Sequence, residues 1–457
     1  MTFPKHIFKA YDVRGLAPQE LSPDIAYRVG QALVRLIGAR RVVVGRDMRV
    51  TTPALFIALA DGITSQGAEV IDIGMVTTPM VYFAVGAFAE HEAGVMITAS
   101  HNTKEYNGLK LCRADVAPIG AGSGIEEICA LAEAGPYPSA KQRGVVLARD
   151  IKKEYLTKLF SLVDTGAIEP LRVVLDGGNG MAGAILEDIF ARLPQCRYTP
   201  LFLDPDGNFP NHEANPLKEE TLVVLQQKVR EIGADVGFAF DGDGDRIGLV
   251  DDRGEVVRGD IITALLAPIV LAWAPGAAVL YDLRQSMVVA EEIARHGGRP
   301  LMSRVGHGFI KPQIVRENAI FAGELSNHFY FRDMCGAESS DLVMLLVLRL
   351  LSQSGGKKLS ELVAPLKRYA HSGEINFRVA DSVAVMKKVA DVYASQATTI
   401  TTIDGIHMVF VPHDNPAGQW WFSLRASNTE PLVRLNVEAC TREEMEKRRD
   451  DIIRLIF

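Results

Sequence analysis

Three short stretches of the 457-residue chain gather side chains whose types and spacing could do chemistry. The sharpest is Asp241-Gly242-Asp243-Gly244-Asp245-Arg246. Carboxylates at i, i+2 and i+4 converge cheaply only if a cation offsets their charge, and the glycines between them let the loop curl so that they can. Oxygen-only ligands suit a hard cation such as Mg²⁺. An EF-hand would need glycine at its sixth position, where this loop has Arg246, and its flanks would be helices rather than the apolar runs 236–240 and 247–250. The bland alternative is a solvated acidic turn.

The second stretch is Thr98-Ala99-Ser100-His101-Asn102, after the apolar run 94–97. It sets a hydroxyl beside an imidazole at a strand end, a usual place for a nucleophile. Lys110, in the following Asn107-Gly108-Leu109-Lys110, could return toward the same loop. A hydrogen-bonded turn or helix cap would use the same residue types. The third stretch, Arg425-Ala426-Ser427-Asn428-Thr429-Glu430 with Arg434 behind it, combines guanidinium, hydroxyl and amide donors suited to phosphate.

Two polar clusters, Gly306-His307-Gly308-Phe309-Ile310-Lys311 and Gly323-Glu324-Leu325-Ser326-Asn327-His328, each follow a strand-like run. Glu and Ser together can hold sugar hydroxyls, although either histidine could equally be structural. Gly178-x-Gly180-x-x-Gly183, with Asp204 about 20 residues on, matches a dinucleotide fingerprint and keeps an NAD-dependent oxidoreductase as a rival. That reading leaves the carboxylate triplet and the Ser-His loop without roles.

The elements that must position these groups are legible as well. Runs at 41–45, 69–74, 94–98, 172–177, 235–240 and 278–282 are continuous and apolar, as in strands buried on both faces. Helical periodicity at 23–37, 151–162 and 340–351 lies between them. The alternation predicts α/β layers with mostly parallel sheets, and several strands end in polar turns where such sheets bind ligands. After about residue 373 the pattern becomes a smaller α+β unit, with helices at 382–394 and 441–456.

Composition excludes several classes. At roughly 150 residues per domain the length suggests about three domains. With 48% hydrophobic and 23% charged residues, the chain is neither disordered nor fibrous. Its 49 basic and 56 acidic residues leave a net charge of −7, which argues against nucleic acid or anionic lipid as the main partner. Five cysteines without metal-ligand spacing suit a reducing compartment. No secretory leader is visible, and the apolar run 261–275 is too short to span a membrane and reads as a core helix. The expected location is cytoplasmic.

Taken in order, the motifs resemble those of the α-D-phosphohexomutase family, most closely its bacterial phosphomannomutase/phosphoglucomutase branch. The matching pieces are KAYDVRG at 9–15, VGRDMR at 44–49, TASHN and YNGLK within 98–110, DGGNGMAG at 176–183, DGNFPNHEANP at 206–216, DGDGDR at 241–246, GHGFIK at 306–311, GELSNH at 323–328 and RASNTEP at 425–431. The resemblance implies four domains, three similar mixed α/β units followed by a smaller α+β C-terminal domain, placed at 1–150, 151–252, 253–370 and 371–457. It implies interconversion of hexose 1-phosphate and hexose 6-phosphate, mannose or glucose, through a phosphoserine at Ser100 and a 1,6-bisphosphate, with glucose 1,6-bisphosphate as activator. Mg²⁺ would be held by Asp241, Asp243, Asp245 and the group on Ser100.

By the same likeness Lys110 and His307 become candidate proton acceptors, Arg14 and Arg246 stabilise transferring charge, and His101 supports the serine loop. Arg425, Ser427, Asn428 and Thr429 would hold the nonreacting phosphate. Glu324 and Ser326 would hold sugar hydroxyls, with His328, Tyr11 and Arg284 nearby. The chain departs from the family pattern at Thr103, where proline is usual, at Arg284, where lysine is common, and at Asn327, where glycine is usual. The expected partner is a phosphosugar, in a monomer or weak homo-oligomer. A phosphoglucosamine-type mutase is the alternative within the family. A phosphatase using Asp241 and a catalytically silent sugar-phosphate binder are the alternatives outside it.

Overall fold

The apolar runs form strands and the amphipathic stretches helices, in a computed structural model that describes residues 3–411, 418–426 and 432–457. Three sheets repeat one topology. In the first, Arg41–Arg46 is flanked by parallel partners Glu69–Met75 and Ala93–Ile97, and Tyr106–Arg113 runs antiparallel beside the latter. In the second, Arg172–Asp176 lies between Arg197–Leu201 and Val236–Phe240, with Ile247–Asp251 antiparallel. In the third, Ala278–Asp282 lies between Arg299–Ser303 and Phe321–Gly323, with Phe329–Phe331 antiparallel.

This order puts a topological switch beside each central strand, the place where open α/β sheets bind ligands. It also makes one hairpin loop equivalent in all three units: the turn from the third parallel strand into the antiparallel one. Those turns carry Ser100, the Asp241–Asp245 carboxylates, and Glu324 with His328.

Helix ends follow local chemistry. Pro23–Ile37 starts where Ser22 accepts a hydrogen bond from the Ile25 amide, and stops at the left-handed Gly38. This helix and Thr52–Ser65 cover one face of the first sheet, and Thr78–Ala87 covers the other. The apolar run expected as a core helix is Gly259–Trp273, largely buried. No helix among the described residues is long and apolar enough to cross a membrane.

The last unit is an antiparallel sheet in which Leu432–Ala439 pairs with Trp420–Ala426, Ile375–Arg378 and Ala370–His371. Helices Ser382–Tyr393 and Arg442–Ile456 pack on it. Strands Ala370–His371 and Thr399–Thr401 are too short to show alternation, so the sequence does not announce them.

The core separates the two kinds of unit. One apolar cluster runs from Val43 and Met80 through Phe238 and Ile262 to Phe321 and Leu345, across all three α/β sheets. The last unit closes its own cluster around Trp420, Phe422, Leu435 and Val437 of its sheet.

Candidate active site

Ser100 sits in the first hairpin loop with φ 50, in the left-handed region, and is buried. Its loop is held by Arg49, which spends all five guanidinium N–H groups. Nε donates to Asp47 at 3.1 Å, and the two terminal nitrogens donate to the carbonyls of Ser100, Asn102, Thr103 and Tyr106 at 2.6–2.9 Å. The Ser100 hydroxyl donates to Asp241 Oδ2 at 2.6 Å and lies 3.3 Å from His101 Nδ1. Burial, with Arg246 and Arg14 near, pushes the His101 pKa well down, so the imidazole is neutral.

The second hairpin loop reaches Ser100 because Gly242 has no side chain: a Cβ there would lie 2.4 Å from the Ser100 carbonyl oxygen. Asp241, Asp243 and Asp245 are buried, with one oxygen of each within 4.8 Å of the others. The backbone amides of Asp245 and Arg246 donate to Asp241 Oδ1 at 3.1 Å each. Thr78, in the first turn of its helix, donates its hydroxyl to Asp243 Oδ2 at 2.6 Å, and its amide to the Asp243 carbonyl. Ser340 donates to the Gly244 carbonyl at 2.5 Å, so all three α/β units grip the loop.

Burial and the two neighbouring carboxylates drive the Asp241 pKa well above its ordinary value, a crowding that a cation relieves. Asp243 Oδ1 is buried with no hydrogen-bond partner among the described residues. Orphaned oxygen, convergent carboxylates and an all-oxygen donor set fit a hard divalent cation. Lys110 Nζ donates to Asp243 at 2.7 Å and to Asp245, supplying positive charge beside the triad. Although burial works against it, those carboxylates raise its pKa, which favours the ammonium form of Lys110 in this arrangement.

The third hairpin loop pairs with the second, through an isolated bridge between Arg246 and His328 and a hydrogen bond from the Ile247 amide to the Asn327 carbonyl. Arg246 Nε donates to His328 Nε2 at 3.1 Å. Glu324 accepts from the Tyr330 hydroxyl at 2.7 Å and from the Gly306 amide at 2.8 Å. Ser326 Oγ lies 3.2 Å from His328 Nδ1. Asn327 adopts φ 65, which explains why glycine could stand there and why asparagine, tolerant of left-handed backbone, replaces it.

His307 opens the helix His307–Glu317, with its ring 5.5 Å from that of Tyr11, whose hydroxyl donates to the Val305 carbonyl. Burial, with Lys311 and Lys110 near, lowers its pKa well below the ordinary value, and Nδ1 is buried with no hydrogen-bond partner among the described residues. The unengaged nitrogen of a neutral imidazole can accept a hydrogen bond from a hydroxyl. Arg14 donates to Asn102 at 2.7 Å and pairs with Asp12.

Arg425 and Arg434 face each other across neighbouring strands of the last sheet. Between them lies Glu374, which accepts from Arg425 at 2.7 Å and from Arg434 at 2.9 Å, with Arg284 of the third unit at 3.5 Å. Arg284 is also paired with Asp282 at 2.9 Å. Ser427, Asn428 and Thr429 lie outside the described residues.

Sequence reasoning missed Arg49, Thr78 and Glu374. Arg49 had a signal: Asp47-x-Arg49 and Asp282-x-Arg284 follow equivalent central strands and form the same ion pair. Thr78 and Glu374 carry none, being single polar residues whose partners are remote in sequence. The dinucleotide fingerprint is corrected. A Cβ at Gly180 would lie 2.9 Å from the Asp241 and Gly242 carbonyls, and one at Gly183 would lie 1.7 Å from that of Leu203. These glycines admit neighbouring backbone, not a pyrophosphate.

Comparison with known proteins identifies the family. Phosphoglucomutase/phosphomannomutase alpha/beta/alpha domains I, II and III match residues 5–139, 153–254 and 258–369, and the C-terminal domain of that family matches 374–455. The chain belongs to the α-D-phosphohexomutase family. This phosphohexomutase is 41% identical over 96% of its length to a Xanthomonas campestris pv. campestris protein named "Phosphohexose mutases", of which 95% is covered. It is 39% identical to an Escherichia coli K12 phosphomannomutase, over 94% of each chain. A phosphoglucomutase/phosphomannomutase family protein of Burkholderia thailandensis superposes with a TM-score of 0.88 at 33% identity, covering 99% of this chain and 97% of that one. The chain is a hexose phosphate mutase, an intramolecular phosphotransferase among the isomerases.

Proposed function

We propose that this phosphohexomutase moves a phosphoryl group between the O1 and O6 hydroxyls of mannose or glucose by way of Ser100 and a 1,6-bisphosphate. The observation that supports it best is the 2.6 Å contact of Ser100 Oγ with Asp241, inside a buried carboxylate triad brought from another sheet. A hydroxyl placed there is positioned to carry the group that is given and taken back.

Mg²⁺, held by Asp241, Asp243, Asp245 and an oxygen of the group on Ser100, would supply electrophilic charge to the phosphoryl. The residues of the chain do the rest. Arg246 and Arg14 flank the serine loop with fixed positive charge. His307 takes the proton of the attacking sugar hydroxyl as the new P–O bond forms and the bond to Ser100 Oγ breaks. Glu324 and Ser326 hold sugar hydroxyls, with Tyr11, His328 and Arg284 around them. Arg425, with Ser427, Asn428 and Thr429, holds the phosphate that is not reacting. The bisphosphate then turns over, and its other phosphate returns to Ser100. Glucose 1,6-bisphosphate acts as activator by reloading Ser100.

The test is a coupled assay with mannose 1-phosphate or glucose 1-phosphate, Mg²⁺ and a trace of glucose 1,6-bisphosphate, together with intact-mass analysis of the Ser100 peptide. Turnover with a phosphorylated Ser100 is expected. Turnover with Ser100 unmodified throughout the reaction would overturn the phosphoserine route.

A further inference from the structure

We infer that Glu374 is a positioning residue that stands in for phosphate between the clamp arginines and sets how readily phosphate leaves them. The inference rests on reading Arg425 and Arg434 as phosphate ligands. Like charges directly opposite on neighbouring strands repel, and these two guanidiniums are opposite. One carboxylate resolves the clash: Oε2 takes Arg425 NH2 at 2.7 Å and Oε1 takes Arg434 NH1 at 2.9 Å, while Arg284 approaches Oε2 at 3.5 Å. Two carboxylate oxygens bridging separate guanidiniums engage the same donors that phosphate oxygens would use.

The backbone around Glu374 is built to keep it there. His371 Nδ1 accepts from the Gly373 amide at 2.9 Å, which leaves its Nε2 as donor to the Arg284 carbonyl, also at 2.9 Å. Ser372 Oγ accepts from the Val437 amide at 2.9 Å, and the Ser372 amide donates to the Val437 carbonyl. The segment joining the third and fourth units is thus pinned to both, and it presents Glu374 to arginines of both. Burial disfavours the carboxylate, but the three guanidiniums hold its pKa down to about 2, so it is ionised throughout the working range.

Glu374 offsets part of the positive charge that Arg425, Arg434 and Arg284 gather, Arg284 being offset by Asp282 as well. Without Glu374 the same cluster would carry one more positive charge and would hold the phosphate harder. That matters because the 1,6-bisphosphate must release each phosphate from the clamp to turn over. A carboxylate ready to reoccupy the arginines lowers the cost of that release.

The experiment uses the full chain in a Ser100→Ala background, which cannot turn over, and measures glucose 1-phosphate binding by calorimetry. Glu374→Gln is expected to bind roughly five- to tenfold tighter, and Glu374→Asp, with its carboxylate drawn back, about two- to threefold tighter. With Ser100 restored, Glu374→Gln should lower KM and kcat together, a pattern that a merely damaged fold does not give. Unchanged or weaker binding in either Glu374 variant, with Arg425→Ala binding weakly, would overturn the role of Glu374 and leave the clamp standing. Unchanged binding in Arg425→Ala would overturn the clamp reading itself.

Discussion

In the proposed reaction the centre around Ser100 and the clamp around Arg425 each meet a phosphoryl group, yet they are built in opposite ways. At the centre, Arg49 is 1% exposed, all five of its N–H groups are spent on backbone and Asp47, and the two loops touch at glycine. The three sheets that carry these loops share one apolar cluster. At the clamp, Arg434 is 28% and Glu374 19% exposed, the contacts are charge pairs, and the sheet closes a core of its own. Chemistry needs groups fixed before the reaction begins. A phosphate that must be caught and released needs contacts that can be exchanged. The molecule keeps these demands apart by placing them on units joined through polar contacts such as His371 to Arg284 and Trp421 with Ser286 to Glu438.

The widest gap between the two regions should appear on removing the nucleophile. Ser100→Ala is expected to cost at least about 10⁴-fold in kcat with an unchanged circular dichroism spectrum; wild-type turnover would erase the distinction. Next comes the support beneath it. Arg49→Ala leaves Asp47 buried without its counter-charge and four carbonyls without this donor, and should cost roughly 3–5 kcal/mol in denaturant unfolding. Arg49→Lys should recover little of it, since an ammonium cannot span five acceptors.

Arg425→Ala should raise KM about 10- to 100-fold with a smaller change in kcat. Its KM should also rise with ionic strength less steeply than that of the wild type, because an exchangeable charge contact is the screened one. A fall in kcat alone would put Arg425 at the centre rather than the clamp.

The joint between the regions should respond to acid. Burial and Arg258 lower the His371 pKa to about 4, below its unfolded value of about 6.5. The unfolded chain therefore binds the proton first, and stability present above about pH 6.5 is lost as pH falls toward about 4. The loss should be on the order of 1–2 kcal/mol and absent in His371→Gln, measured by unfolding at stepped pH. The smallest effect is expected at Asn327, where φ 65 already suits glycine. Asn327→Gly should change stability by less than about 1 kcal/mol, so any change in the mannose-to-glucose rate ratio would report on the sugar loop itself.

What the sequence by itself determined is local. Carboxylates two residues apart, a Ser-His pair at a strand end and apolar runs of strand length are all written within a few residues, because loop curvature and strand burial depend on immediate neighbours. That made the three α/β units, the smaller last unit and the motif residues legible from the residue order. The equivalence of the three hairpin loops was not, since their motifs differ and only the common strand order aligns them. Nor could order along the chain show that Lys110 is spent on Asp243 and Asp245, that the fingerprint glycines admit backbone, or that Glu374 lies between Arg425 and Arg434. Those follow from which surfaces pack together. Charge, burial and hydrogen-bond supply at a side chain are set by neighbours that only the tertiary fold brings within a few ångströms.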